Sequence, residues 1–431
     1  MKLLVFAHVP PPHHGQSYMV QLMLNGLGGD QRKRKSKADG ELPNHFGIEC
    51  YHVNARVSKQ LEDIGDFRPV KLLLLLGYCV EAIYVRFRYG VTNFYYVPAP
   101  GKSVALYRDW LVMFLCRPFF KRVILHWHAA SLASWLETFT TMSARRITYH
   151  LVGQVDLSIV LSNCNRFNAE KLLPRRIEAV GNGIPDPCAE FETRVLPRRR
   201  ARIAARKKLM AGQELTEQER AEAGAEPQVI RALFLAHCSR EKGLFDAVQG
   251  VVLAFRQLQA RHSSVSIRLI VAGSFQSPED RNEFERLCSE SPAAVQYVGF
   301  VQGPEKERAM LEADLLCFPS HWDNQPVSVI EALAFGLPAV ISRLPSVQEM
   351  LPADYPGVVD LGKPAQMAAA LLDLACFEDF EQLRRHFLSR FTLECHLANL
   401  AEAIRSVETA EPTPALQPAA QNSRTATPRN I

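Results

Sequence analysis

Residues 315–342 contain a short apolar run, a polar turn, a stretch with helical character and a second apolar run. We predict strands at 315–318 and 339–342. Between them, Pro326 opens a helix and Gly336 ends it. Proline fits the first turn of a helix because its missing N–H would have no partner there, and glycine fits the left-handed exit. Two buried strands joined through a helix indicate a parallel sheet that is covered on both faces.

Two acidic residues, Asp323 and Glu331, flank the start of this helix. Asp323 lies in the turn before the helix N-terminus, and Glu331 lies inside the helix. Unpaired N–H groups at a helix N-terminus attract phosphate groups. The pattern therefore predicts a place for a phosphorylated sugar. The alternative is an ordinary βαβ unit with a solvated aspartate and a glutamate on a helix face.

Strands and helices alternate in both halves of the chain, which indicates two doubly wound parallel sheets. The predicted strands are residues 2–9, 92–97, 122–127 and 157–161 in the first half and 231–236, 267–272, 295–298, 315–318 and 339–342 in the second. The other predicted helices are residues 16–27, 70–86, 243–260, 278–288, 304–311 and 397–407. No G-x-G-x-x-G follows the opening strand of either half, which disfavours a dinucleotide-binding oxidoreductase.

A charged stretch at residues 194–227 interrupts the alternation and predicts a linker or a helical insertion. We therefore place one domain at 1–193 and a second domain at 228–385. Residues 386–408 are predicted to form C-terminal helices that could cross back to the first domain. Residues 409–431 have few large apolar side chains and are predicted to be disordered.

The ten cysteines are scattered and include no C-x-x-C pair. This distribution favours reduced thiols in a cytoplasmic protein over a disulfide framework or a zinc site. The apolar stretch at the N-terminus is too short for a secretion signal and is interpreted as a strand. No run of apolar residues is long enough to predict a spanning helix.

Positive charge is concentrated in residues 1–200, which contain 27 Lys and Arg against 16 Asp and Glu, a net charge of +11. The remaining residues contain 23 and 29 and carry −6. A basic half indicates an anionic partner, such as a membrane surface, a lipid-linked phosphate or nucleic acid. The alternative is a solvated surface. Nucleic acid is disfavoured because no nucleic-acid-binding motif occurs.

The segment around Asp323 and Glu331 resembles the acidic-x7-Glu region of the retaining glycosyltransferases of family 4, the group 1 glycosyl transferases of GT-B fold. The two acids have the spacing of that motif, with Asp323 in place of the usual glutamate. The resemblance implies an α/β protein with two doubly wound, Rossmann-like domains that face a cleft. It makes 1–193 the N-terminal, acceptor-side domain and 228–385 the C-terminal, nucleotide-sugar-binding domain. It implies transfer of a sugar from a nucleotide diphosphate sugar with retention of configuration, without a cofactor or a metal.

Further segments carry the same resemblance. Lys242 and Gly243 match the family's Lys-Gly, whereas His237 stands where the family usually has arginine, and Arg240 is expected to replace that arginine. His128 is favoured over His126 because it is nearer the strand end. The resemblance assigns catalytic positions to His128 and Asp323 and donor-binding positions to Gly15, Gln16, Arg240, Lys242, Phe300, Asn324, Gln325, Pro326, Val327, Ser328 and Glu331.

The implied enzyme is a glycosyltransferase of the hexosyltransferase type that acts on a glycan or lipid-linked acceptor in bacterial surface or exopolysaccharide synthesis. Arg86-Phe87-Arg88 and residues 115–122 mix aromatic and basic side chains, which is consistent with peripheral contact with an anionic membrane at its inner face. The phenylalanines could instead belong to the core. Two other functions remain open: a nucleotide-sugar epimerase of GT-B fold and a non-catalytic scaffold.

Overall fold

The computed structural model describes residues 1–11, 15–33, 46–57, 69–98, 101, 103–129 and 132–409. The tail beyond residue 409, predicted to be disordered, lies outside these ranges, as do residues 12–14 of the first loop. The described residues form two six-stranded sheets. All recorded strand pairings in both sheets are parallel.

The first sheet has the strand order β2-β1-β3-β4-β5-β6, so that the direction of winding reverses between β1 and β3. Its strands are β1 (Lys2–Ala7), β2 (Glu49–Asn54), β3 (Asn93–Tyr96), β4 (Arg122–Trp127), β5 (Leu157–Val160) and β6 (Ile177–Ala179). The helices around it are α1 (Gly15–Gly26), α2 (Pro69–Tyr89), α3 (Ser103–Cys116), α4 (Leu132–Phe139), α5 (Met142–Val152) and α6 (Arg166–Glu170). The sequence did not predict β2, β6 or the helices α3 to α6.

The charged stretch after the first domain is helical. It contains α7 (Leu196–Met210) and α8 (Glu217–Ala223), and α8 begins with a capping box formed by Thr216 and Glu219. Three arginines of α7 point into the second domain. Arg202 and Arg206 lie 2.7 and 2.8 Å from the buried Asp314, and Arg199 donates to three backbone carbonyls. These side chains therefore anchor the helix and are not part of a solvated linker.

The second sheet has the order β12-β11-β10-β7-β8-β9, which reverses between β7 and β10. Its strands are β7 (Val229–Leu235), β8 (Ser266–Ala272), β9 (Val295–Gly299), β10 (Leu315–Phe318), β11 (Ala339–Ser342) and β12 (Val358–Val359). The helices are α9 (Leu244–Ala260), α10 (Pro278–Ser289), α11 (Pro304–Glu312), α12 (Val327–Ala334), α13 (Pro345–Gln348), α14 (Pro364–Leu374), α15 (Phe380–Arg390) and α16 (Leu393–Thr409). The predicted architecture of two doubly wound domains is confirmed.

The last helix, α16, returns to the first domain. Its apolar residues, including Leu400 and Ile404, share a buried cluster with Leu3 and Val5 of β1. Ile184, in the segment that leaves the first sheet, forms a parallel bridge with Thr392, the residue just before α16. The chain therefore enters α16 beside the segment that leaves the first sheet. The two connections between the domains are thus adjacent.

None of the helices in the described ranges is both long enough and apolar enough to cross a membrane. The ten cysteines are all free thiols, and six of them are buried. Burial raises the pKa of several of them, for example that of Cys238 to about 12. The buried thiols therefore pack as small apolar groups.

Candidate active site

A cleft of about 540 Å³ lies between the two domains. Residues that follow the carboxyl ends of β1, β4, β7, β8 and β10 line it. Ligands of open parallel sheets bind at this edge, beside the point where the winding reverses. Both reversal points, β1/β3 and β7/β10, contribute to this cleft. The fold therefore brings loops that are more than 200 residues apart in sequence to one place.

Most of the site residues predicted from the sequence lie together in this cleft. The lining includes Gly15, Gln16, His128, Lys242, Phe300, Asp323, Gln325, Pro326, Val327, Ser328 and Glu331. Two predicted residues, Arg240 and Asn324, are not part of the lining. His237, which the sequence singled out as a departure from the family pattern, does line the cleft.

Lys242 and Asp323 form an ion pair in the cleft. The Lys242 ammonium donates to Asp323 Oδ2 at 2.6 Å, and the Asn324 N–H donates to Asp323 Oδ1 at 3.2 Å. Gly243 makes this approach possible. Its φ is +75°, and a Cβ at this position would lie 1.9 Å from the carbonyl oxygen of Pro319. Only glycine lets the loop after β7 approach the loop after β10 so closely.

The helix α12 begins at the cleft. Pro326 occupies its N-cap position with φ −65°, one residue before the first helical residue, so the predicted start is displaced by one position. Val327 and Ser328 of the first turn line the cleft. Across it, an added Cβ at Gly15 would lie 3.9 Å from Val327 Cγ2, which places the start of α1 against the start of α12. The N-termini of two helices therefore face one cavity, an arrangement that favours an anion.

Glu331 is buried in α12 and pairs with Lys306, a residue that the sequence did not indicate. Burial raises the pKa of the Glu331 carboxyl, and the Lys306 ammonium opposes that rise. Tyr18 of α1 lies near both charges: burial raises the pKa of its phenol, Lys306 lowers it and Glu331 raises it further. One signal could have identified Lys306. It lies in the first turn of α11, where a cation is unfavourable unless an anion is nearby.

His128 lies just beyond β4, in the cleft wall. Its ring packs against that of His126 in a tilted arrangement, with 4.3 Å between the centroids and an angle of 38° between the planes. His126 is buried, and its Nδ1 is hydrogen-bonded to the Tyr95 hydroxyl. Burial, and then the neighbouring His128 and His396, hold the pKa of His126 well below its ordinary value. His126 is therefore a neutral, internal support for His128, and the prediction that His128 is nearer the cleft agrees with the structure.

Arg240 lies at the outer surface, contrary to its predicted position on the donor diphosphate. Its guanidinium pairs with Glu283 of α10 and lies 4.6 Å from the centroid of the Phe245 ring. His237 occupies the corresponding place in the cleft wall. Burial and the adjacent Lys242 lower the pKa of its imidazole. The cation that the cleft contains after β7 is therefore Lys242.

Asn324 and Gln325 connect the second domain to the first. Asn165 Nδ2 donates to Asn324 Oδ1 at 2.5 Å, and Gln325 Nε2 donates to the Leu161 carbonyl at 2.7 Å. The Asn182 N–H donates to Gln325 Oε1, also at 2.7 Å. Asn324 is thus engaged by the first domain and not exposed to the cleft, whereas Gln325 both lines the cleft and joins the domains.

Comparison with known sequences identifies a domain in the second half of the chain. Residues 232–376 match the family described as glycosyl transferases group 1. A stretch of 128 residues is 26% identical to an uncharacterized glycosyltransferase of Methanocaldococcus jannaschii, MJ1607. The aligned stretch covers 29% of this chain and 30% of that protein, less than a third of each.

Comparison with solved structures covers nearly the whole chain. HepE of Anabaena, solved in complex with UDP, superposes with a TM-score of 0.57 at 13% identity, over 94% of this chain and 100% of HepE. WaaB, a lipopolysaccharide outer core galactosyltransferase, gives 0.59 at 12% identity, over 94% and 99%. At these identities the likeness shows the fold. Residues 232–376 therefore form a glycosyl transferases group 1 domain, a domain of enzymes that transfer sugars, within a chain of GT-B fold.

Proposed function

We propose that this chain is a retaining glycosyltransferase of family 4 that takes a sugar from a nucleoside diphosphate sugar. One observation carries the proposal: the cleft brings the Lys242–Asp323 ion pair, the Glu331 carboxylate and the N-terminus of α12 together between the two domains. These groups offer a cation, two carboxylates and unpaired N–H groups, which match a diphosphate flanked by two hydroxyl-bearing sugars. The neighbour HepE was solved with UDP and with UDP-glucose, which supports a nucleotide sugar here.

The proposed roles follow from charge and position. Lys242 and the first turn of α12 bind the diphosphate and stabilise the negative charge that develops on it as the sugar departs, without a metal or a cofactor. Asp323 accepts hydrogen bonds from hydroxyls of the transferred sugar, and Glu331 accepts them from the ribose. His128, in the opposite wall, lies beside the reacting centre. Gly15 lets the backbone of the first domain approach the phosphates, and the exposed ring of Phe300 borders the nucleoside.

A panel of UDP-, GDP- and ADP-sugars, tested by thermal unfolding, examines this proposal directly. A ligand that binds only the folded chain raises its melting temperature. We expect sugars of one nucleotide to raise the melting temperature of the protein. With that donor, NMR of the released or transferred sugar should show the same anomeric configuration as in the donor. Isomerised donor formed without an acceptor would indicate an epimerase. Absence of stabilisation by every donor would indicate a scaffold without transferase activity.

We propose a glycan or a lipid-linked molecule as the acceptor, in the synthesis of a bacterial surface or exopolysaccharide. The neighbour WaaB is a lipopolysaccharide transferase, which supports this class of acceptor. A lipid-linked acceptor requires that the first domain approach a membrane. The large apolar residues Val70, Leu73, Val80, Tyr84 and Phe87 recur on α2 at helical spacing, and each is more than 60% exposed.

Basic side chains accompany this exposed α2 face, which we define by those five residues. Arg86 and Arg88 belong to the same helix. The Phe119 ring packs edge-on against the Phe87 ring, with 5.9 Å between the two centroids. Phe119 is 41% exposed and is available for membrane contact, whereas Phe120 is buried and belongs to the core. An apolar helix face flanked by arginines fits the interface of an anionic membrane. We propose that the α2 face contacts such a membrane at its cytoplasmic side.

A further inference from the structure

The ion pair between Lys306 and Glu331 joins two helices at the nucleotide end of the cleft. Lys306 lies in the first turn of α11, shortly after Phe300, and its ammonium donates to Glu331 Oε1 of α12. The Lys306 side chain is 36% exposed and the Glu331 side chain 9%. Both residues line the cleft. The carboxylate is therefore held from one side and remains within reach of a ligand.

The Lys306 charge lowers the pKa of its partner. Burial raises the pKa of Glu331, and in the present arrangement Lys306 is the group that lowers it. Without the ammonium, the pKa of the carboxyl would rise further, and a protonated carboxyl would lose one of its acceptor sites. The other titratable groups in the cleft wall are Tyr18 of α1, His128, His237, Lys242 and Asp323. On α15, which packs against α12, Arg384 is bound to Asp186 and to the Ala334 carbonyl.

The pair combines an acceptor-only group with a donor-only group. Each hydroxyl of a vicinal diol can donate to a carboxylate and accept from an ammonium, so that a diol offers the pair twice as many partners as a lone hydroxyl. Resting on the proposed function, we infer that Lys306 is a positioning residue that keeps Glu331 ionised and oriented, so that the pair selects a nucleotide with an intact ribose diol. Lys306 acts through Glu331 and takes no part in the transfer of the sugar.

The experiment compares nucleotide binding by the full chain and its variants. Calorimetry from pH 6 to 9 gives dissociation constants for UDP, GDP and ADP and for their 2′-deoxy counterparts. Lys306→Met removes the charge and keeps the chain length, Lys306→Gln is a second neutral variant, and Lys306→Arg restores a cation. Lys363→Met, at an exposed lysine of the same domain, is the matched control.

We expect the wild type and the Lys363→Met control to prefer the ribonucleotide about ten- to a hundredfold, the range for a hydrogen bond to a charged group. Both neutral variants should lose most of that preference at pH 7 and regain part of it as the pH rises and Glu331 ionises. Lys306→Arg should keep the preference. An unchanged preference with a flat pH profile in either folded neutral variant overturns the role of Lys306. If the wild type binds none of the six nucleotides, the proposed function fails first.

Discussion

Lys242 Nζ lies 2.6 Å from Asp323 Oδ2, so that the cation after β7 and the carboxylate after β10 neutralise each other across the reversal point of the second sheet. The side chains are only 28% and 15% exposed, and the pair is therefore screened less than one at the surface. The ammonium has three donors, so a phosphate can bind beside the carboxylate without separating the pair. Under the proposed roles of Lys242 and Asp323, this one contact would hold the diphosphate and the transferred sugar next to each other.

Replacement of Lys242 by alanine should weaken nucleoside diphosphate binding by about 1.5–3 kcal/mol, the scale of a hydrogen bond to a charged group. Asp323 would also be left without its cation, which adds repulsion of the phosphates. Isothermal calorimetry measures the change. Arg240→Ala is the matched control, because Arg240 lies two residues away in the same loop but is directed at Glu283. For this variant we expect a change within about 0.5 kcal/mol, as for ordinary surface substitutions.

Glu331→Gln should raise the donor concentration needed for half-maximal rate and lower turnover, while the melting temperature stays near that of the wild type. Glutamine keeps the shape of the side chain but replaces one acceptor oxygen by a donor, so that one ribose hydroxyl loses its partner. Steady-state kinetics with the stabilising donor provide the measurement. Glu305→Gln, an exposed position on α11, serves as the control. Kinetics near those of the wild type in a folded Glu331→Gln variant would remove Glu331 from the site.

The α12 segment could be predicted from the sequence because its determinants are local. The apolar runs on either side, the proline at the start and Gly336 with φ +56° at the exit each specify the backbone within a few residues. The spacing of Asp323 and Glu331 follows from that helix alone. Local signals of this kind also gave β4 and β10 their observed bounds.

The partners of these residues depend on tertiary contacts and could not be predicted in the same way. Lys306 of α11 pairs with Glu331 of α12. Arg240 pairs with Glu283, which is 43 positions away in sequence, and therefore does not point into the cleft. Asn324 lies between two cleft residues in sequence, yet its partner is Asn165 of the other domain. The same applies to α7. A run of arginines normally indicates a solvated surface. Here, however, the arginines on the buried face of α7 donate hydrogen bonds to Asp314 and to several backbone carbonyls.

Asp314→Asn should destabilise the protein by about 3–5 kcal/mol, because it leaves Arg202 and Arg206 buried without their counter-charge. Burial alone would raise the pKa of Asp314, but Arg206 and Arg202 lower it below its ordinary value. A carboxyl with a lowered pKa stabilises the fold above its unfolded pKa, and this contribution is lost as the pH falls through the folded pKa. The difference between variant and wild type should therefore shrink in acid.

Urea unfolding at neutral pH and at successively lower pH measures both effects. Glu312→Gln is the control, because Glu312 pairs with Arg231 at 3.3 Å but is 46% exposed. Because the Glu312 carboxylate is exposed, we expect this pair to contribute at most about 1 kcal/mol. Equal destabilisation by the two substitutions would show that α7 is not anchored through Asp314.

The exposed apolar and basic residues of the α2 face lead us to expect membrane binding that weakens with salt. We expect the protein to sediment with vesicles containing anionic lipid at low ionic strength, to be released at high salt and to remain in solution with neutral vesicles. Attraction between basic side chains and anionic lipid weakens as salt screens it, and the apolar side chains reinforce binding once contact is made. Binding to both vesicle types alike, or to neither, would leave a water-soluble acceptor as the better proposal.

Two substitutions on α2 separate the contributions to this contact. Phe87→Ser removes an apolar side chain that is 66% exposed, and Arg88→Gln removes an exposed charge. Each should reduce binding to anionic vesicles, and only Arg88→Gln should also reduce its salt dependence, because the apolar contribution is not screened. Leu388→Ser, at a residue of the second domain that is 45% exposed, is the control and should bind like the wild type. A loss of binding in this control would place the membrane-contacting surface outside the α2 face.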